Sequence, residues 1–234
     1  MYFNHKVVMV TGAAGNLGRV VATAFADQGA TLALVARQRE SLAQLYGLEH
    51  ERLLFATADL LDSAQVQAAV AQVLQRFGRI DVLCNLAGGF TMGETVHETS
   101  AQTWNLMFDL NARTLLNTVH AVVPAMIQAG GGRIVNVGAF SAQKGAARMG
   151  AYCASKSTVI RLTESMSAEL REHHINVNCV LPTIIDTPEN RSAMPDADPS
   201  RWVSPQDLAN AIVFLASDGA RAIHGASIPV TGLV

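Results

Sequence analysis

Thr11-Gly12-Ala13-Ala14-Gly15-Asn16-Leu17-Gly18 closes the β-branched run Lys6–Thr11 and leads into helical periodicity over Leu17–Gln28. A glycine pattern alone is a weak signal. Between a strand and a helix it acquires physical content. Gly12 allows a tight turn, and the small residues Ala13, Ala14 and Gly15 let an anion approach the backbone. Free N–H groups and the dipole at the helix start stabilise a pyrophosphate there. Gly18 permits close packing of helix on strand. The competing reading is an ordinary glycine-rich turn, and the rest of the chain must decide between the two.

Outward from this loop the pattern alternates. Aliphatic and β-branched runs recur at Thr31–Ala36, Leu53–Ala58, Val82–Asn85, Arg133–Val137, Ile175–Val180 and Ser227–Val230. Helical periodicity separates most of them, at Arg39–Leu45, Ser63–Phe77, Ala101–Ala129, Ala151–Glu172 and Pro205–Ser217. Strand runs without polar alternation suit a parallel sheet covered on both faces. The expected fold is therefore α/β, a doubly wound Rossmann sheet of seven mostly parallel strands in one domain over 1–234. Gly29, Gly78 and Gly130 stand where helices should stop, Asp62 and Ser100 where they should start, and Ser204-Pro205 combines a cap with a first-turn proline.

Half of the chain is apolar and the formal net charge is −2, which speaks against disorder and against binding nucleic acid or an anionic membrane. No apolar run reaches the roughly 18–20 residues of a membrane span. Cys84, Cys153 and Cys179 are scattered and odd in number, which fits reduced, buried thiols. With no signal-peptide layout at Met1–Gly12, the expected compartment is the cytoplasm. No His, Cys or carboxylate set has zinc spacing, so no metal site is expected.

At the end of the second strand a dinucleotide fold carries an acid for a ribose 2′-OH or an Arg for a 2′-phosphate. Here Ala36-Arg37-Gln38-Arg39 precedes the first acid, Glu40. Arg37, with Arg39 as a second cation, favours NADP(H) over NAD(H); the alternative is a solvated Arg37 and a pocket that accepts either. Tyr152 and Lys156, four residues apart, share one helix face. A nearby ammonium favours the phenolate and brings a phenol closer to working pH, which suits proton transfer to or from a substrate oxygen.

These segments resemble the short-chain dehydrogenase/reductase family across the whole chain. The loop is similar to the family's TGxxxGxG, with Asn16 at the usual middle glycine, and Tyr152-Cys153-Ala154-Ser155-Lys156 matches YxxxK. The resemblance implies cofactor contacts from Gly12, Ala14, Gly15, Asn16, Leu17 and Gly18. It adds the adenine-contacting pair Asp59-Leu60, for which a helix cap is the alternative, and Asn85, Ala87 and Gly88 of an NNAG-like segment whose second Asn is Leu86. It gives Lys156 a contact to the nicotinamide ribose and Asn111 a proton-relaying water. The family serine falls thirteen residues before Tyr152, at Ala139, with Ser141 offset by two. The serine is therefore read as absent.

One branch that also lacks this serine is dihydropteridine reductase. Leu181-Pro182-Thr183-Ile184-Ile185-Asp186-Thr187-Pro188 and the following residues to Asp198 resemble its segment after the sixth strand, and Trp202 follows at similar spacing. That resemblance implies that Pro182, Ile185 and Thr187 line the nicotinamide site and that a short substrate lid lies around 188–203. The branch uses NADH and has an acid where this chain has Ala36-Arg37, so the first half departs from it. A quinonoid acceptor gains aromaticity on taking hydride and builds less localised charge on oxygen, which makes sense of Ala139. The reading is an oxidoreductase, with NADPH preferred, acting on a carbonyl or quinonoid small molecule. The alternative is a catalytically weak dinucleotide-binding scaffold or sensor. The family implies a homodimer or homotetramer through Ala101–Ala129 and Ala151–Glu172. Trp104 is expected in the core, and Trp202 in the lid or as a packing anchor.

Overall fold

The structure, a computed structural model, describes residues 2–234. Strands β1 (Val7–Thr11), β2 (Thr31–Ala36), β3 (Leu53–Thr57), β4 (Val82–Asn85), β5 (Gly132–Val137), β6 (Ile175–Pro182) and β7 (Ser227–Val230) form one sheet in the order β3-β2-β1-β4-β5-β6-β7. Every pairing is parallel, so the expected "mostly parallel" sheet is wholly so. The order reverses between β1 and β4, and the crevice beyond the carboxyl ends of these strands is where such sheets bind ligands.

The period of two along each strand divides the core. Val8 and Val10 of β1 and Leu32 and Leu34 of β2 pack on one face. There they meet Val21 and Phe25 of α1 (Asn16–Asp27), Leu42 of α2 (Arg39–Tyr46) and Leu208 and Ile212 of α8 (Pro205–Ala216). Val7, Met9, Ala33 and Val35 face the other way, against Val66 and Val70 of α3 (Ser63–Phe77). Leu115 and Val119 of α5 (Thr114–Gln128) and Val159 and Ile160 of α6 (Gly150–Leu170) complete that layer. Asp62 caps α3 through the N–H groups of Ala64 and Gln65, and Gly78 ends it in the left-handed conformation. Ser100 caps α4 (Ala101–Phe108), and Ser204 caps α8 ahead of Pro205.

The expected single helix over 101–129 is broken. Asp109–Arg113 forms a π-helical turn between α4 and α5. The turn holds Asn111, which is buried and bonds across to other segments: its side-chain oxygen accepts from Gly89 N–H (2.9 Å), and Nδ2 donates to the Gly89 carbonyl (3.1 Å) and to Ser155 Oγ (3.0 Å). π-turns of this kind recur where a helix presents a residue to a site. Trp104 is 45% exposed and stacks on Phe108, so it is a surface residue and not the expected core residue. Among the described residues, no helix is long and apolar enough to cross a membrane, and no group of three His, Cys, Asp or Glu residues could hold a metal.

Candidate active site

The loop between β1 and α1 closes against β4. Gly12 has φ +66°, and a Cβ there would lie 2.9 Å from Ala87 N; a Cβ at Gly18 would collide with the Gly12 carbonyl oxygen. Thr11 Oγ1 donates to the Cys84 carbonyl and accepts from the Leu86 and Ala87 N–H groups. Tyr46, reaching in from α2, donates to the Ala13 carbonyl at 2.7 Å. Burial pushes its phenol up to about 12. α1 starts at Asn16 after Gly15, which offers no side-chain cap, as α2 and α6 also start without one. Its first N–H groups are thus left for an anion. This uncapped helix start behind a glycine turn fits a dinucleotide pyrophosphate.

Arg37, just past β2, is exposed and makes no ion pair among the described residues. Arg39, expected as a second cation, is engaged elsewhere: it pairs with Glu49, donates to the Phe55 carbonyl (3.2 Å) and lies over the Phe55 ring. Asp59 is exposed, and its carboxylate accepts from the Leu61 N–H (3.0 Å); Leu60 is buried. Asn85 is turned into the sheet, where its Nδ2 donates to Asn136 Oδ1 (2.9 Å). Its buried Oδ1 has no partner.

Tyr152 and Lys156 lie one turn apart on α6. Lys156 is buried, and its Nζ donates to the Val137 carbonyl at the end of β5 (2.8 Å). Burial pushes the ammonium down to about 8, against a smaller opposing effect of Cys179. The Tyr152 phenol is pushed up to about 12, by burial first and by Cys153 second. Burial dominates the shift of this phenol, and no lowering by Lys156 enters it. The Tyr152 ring meets Phe90 edge-on, with centroids 4.8 Å apart and planes at 84°. Asn111 and Lys156 converge beside Gly88, which a Cβ would bring to 2.8 Å from Asn111 Oδ1 and 3.1 Å from Lys156 Nζ.

Ala139 is buried at the start of a 3-10 turn, Phe140–Gln143, which contains Ser141. After β6, Pro182 is buried and Ile185 bridges to Val203, closing the stem of the segment between them. Thr187 caps the short α7 (Pro188–Ala193). Trp202 is 6% exposed, which makes it a packing anchor. The sequence reading missed Tyr46, Phe90 and Val137; Glu189, which it placed only within the lid around 188–203, accepts from Asn16 Nδ2 at 2.6 Å. Tyr46, Phe90 and Val137 carry no local motif.

The short chain dehydrogenase profile matches residues 6–198. The chain belongs to the short-chain dehydrogenase/reductase family. It is thus an NAD(P)-dependent oxidoreductase of that family, with the family's Rossmann sheet. It is 35% identical over 239 residues to the D-threitol dehydrogenase of Mycolicibacterium smegmatis, covering 97% of this chain and 92% of that one. Among solved structures it is similar to a carveol dehydrogenase from Mycobacterium avium in complex with NAD (TM-score 0.91, 30% identity, 99% and 98% coverage). It is also similar to a gluconate 5-dehydrogenase from Burkholderia cenocepacia in complex with NADP and tartrate (TM-score 0.90, 27% identity, 98% and 95% coverage). These relatives fix the family and a nicotinamide cofactor; they do not show the dihydropteridine reductase branch.

Proposed function

We propose that this short-chain dehydrogenase/reductase is an NADPH-preferring reductase of a carbonyl or quinonoid small molecule, with Tyr152 as the acid/base. The observation that carries the reading is Tyr152 itself: a half-buried phenol one helical turn from Lys156 and held protonated across neutral pH. A protonated group is the one needed for reduction, in which it donates to the oxygen that gains a proton. The nicotinamide ring, when bound, supplies the hydride. Lys156 then offsets the negative charge left on the phenol, and Asn111, fastened to Gly89 and Ser155, holds the π-turn against α6. Gly12, the α1 N-terminus and Ala87–Gly88 hold the dinucleotide. Pro182, Ile185 and Thr187 line the nicotinamide end. Arg37, without an ion pair among the described residues where Arg39 is engaged, supports the preference for a 2′-phosphate.

Substrate class follows from Ala139, thirteen residues before Tyr152, and from Phe90 against its ring. Ala139 offers no hydroxyl donor, and an oxyanion donor of that kind is worth about 10²–10³ in rate where one is used. An acceptor whose charge is spread over a conjugated ring has less need of it. Phe90, edge-on to Tyr152 and 57% exposed, gives an apolar face on which a flat ring can lie, with exposed Phe140 next to Ala139. A groove of about 580 Å³ between α5 and α6, lined by Val119, Val123, Leu162 and Met166, supports assembly into a dimer or tetramer through these helices.

The test is titration with NADPH and NADH, followed by turnover of quinonoid dihydropterin, quinones and simple ketones. Tight NADPH binding, with turnover that Tyr152→Phe lowers by about 10²–10⁴, is expected. Ala139 also favours a second reading, a dinucleotide-binding sensor; binding without turnover of any acceptor would replace the reductase by it.

A further inference from the structure

Asn16, which takes the place of the usual glycine in the phosphate loop, reaches a residue 173 positions away. Its Nδ2 donates to Glu189 Oε2 at 2.6 Å. A hydrogen bond to a carboxylate is stronger than one between neutral groups. Asn16 is the first residue of α1 and sits on the loop that receives the pyrophosphate. Glu189 is the second residue of α7.

The helix that carries Glu189 is held stiff by its own bonds. Thr187 caps it, and Asn190 Nδ2 donates to the Ile185 carbonyl (2.8 Å). Arg191 makes a two-pronged ion pair with Asp186, at 2.6 and 2.7 Å. The stem is closed by the Ile185–Val203 bridge and by Asp186 N–H donating to the Val203 carbonyl. A stiff element fastened at its far end moves as one body, so one bond to the loop decides whether it covers that loop.

We propose that Glu189 is a positioning residue for the cofactor: through Asn16 it straps α7 to the phosphate loop and slows the exchange of the dinucleotide. The proposal uses the family's cofactor and does not depend on which acceptor is reduced. A strap and a simple charge effect predict opposite signs. A carboxylate acting only by repelling the pyrophosphate would, when neutralised, make the nucleotide leave more slowly. A strap, when cut, lets it leave faster.

The experiment is stopped-flow release of NADPH, and of NADH, from the preloaded protein. Asn16→Gly and Glu189→Ala should each raise the dissociation rate about 3–10-fold, the scale of one such exposed bond. The double variant should exceed neither single variant, because both cut the same contact. Glu189→Gln keeps an acceptor for Asn16 but not the charge, so its release should fall between that of the parent and that of Glu189→Ala. In the nucleotide-free protein, Asn16→Gly should also speed hydrogen exchange of the Glu189–Met194 amides. Unchanged release, additive effects, or slower release in both Glu189→Ala and Glu189→Gln would each overturn the strap. Should the parent bind neither nucleotide, the family's cofactor assignment fails, and unchanged exchange in Asn16→Gly would then dispose of the strap separately.

Discussion

Asn111 Oδ1 and Lys156 Nζ, from two different helices, converge on the backbone of Gly88, within 2.8 and 3.1 Å of where its Cβ would stand. Gly88→Ala should push both polar tips aside. They are ends of side chains and can yield, so melting should change by only a few degrees. A displacement of this size at a reacting centre costs on the order of 10²-fold. The expected result is a loss of kcat on that scale with the circular dichroism spectrum unchanged. Near-parental kcat would mean that neither tip matters where it now sits.

Lys156 is buried, and its proposed role should conflict with that burial. Its ammonium is pushed from 10.5 down to about 8, so between these values the unfolded chain binds more protons than the folded one. Stability should then rise with pH across that window, with the full burial penalty present below about 8. Lys156→Met should raise stability at pH 7 by about 1–2 kcal/mol, the desolvation relieved less the bond to the Val137 carbonyl that is lost. The gain should vanish by about pH 10.5, while activity is lost throughout. Denaturant unfolding of both proteins at pH 7 and 10 reads this directly; a gain that does not depend on pH would contradict it.

The same titration bears on rate. Reduction leaves negative charge on the Tyr152 oxygen, and the Lys156 ammonium is the buried cation placed to offset it. Reductive kcat/KM should therefore fall as pH rises through about 8. A pH–rate profile flat to pH 10 would remove Lys156 from that role.

Ala139→Ser restores a hydroxyl at the residue thirteen before Tyr152. If a localised ketone oxygen needs that donor, kcat/KM on simple ketones should rise at least about tenfold, and change little on a quinonoid acceptor. An equal rise on both classes would mean that Ala139 says nothing about substrate type.

Arg37→Ala should weaken NADPH about ten- to a hundredfold, the scale of a charge-assisted bond to a phosphate, and leave NADH within twofold. Equal effects on both nucleotides, measured by titration calorimetry, would make Arg37 a general surface cation.

Much of this was legible residue by residue. Asp62, Ser100 and Ser204 cap the helices they precede, because a cap depends only on the next three residues. β2, β4 and β7 begin and end where their aliphatic runs do. Helical period alone could not say that α4 ends at Phe108 and that a π-turn follows, where Asn111 bonds to Gly89, a residue on another segment. Nor could it say which face of α4 is covered, and so Trp104 was misread.

By itself the sequence determined the doubly wound sheet, the glycine turn between β1 and α1 and the four-residue spacing of Tyr152 and Lys156, because periodicity, turns and caps are local and travel with the chain. The tertiary structure alone decided the state of that pair, a phenol pushed up and an ammonium pushed down. It also decided the bonds of Lys156 to Val137 and of Asn16 to Glu189. Desolvation and long-range hydrogen bonds depend on what other elements bring to the same place, and that is settled only when the sheet has brought the carboxyl ends of its strands together.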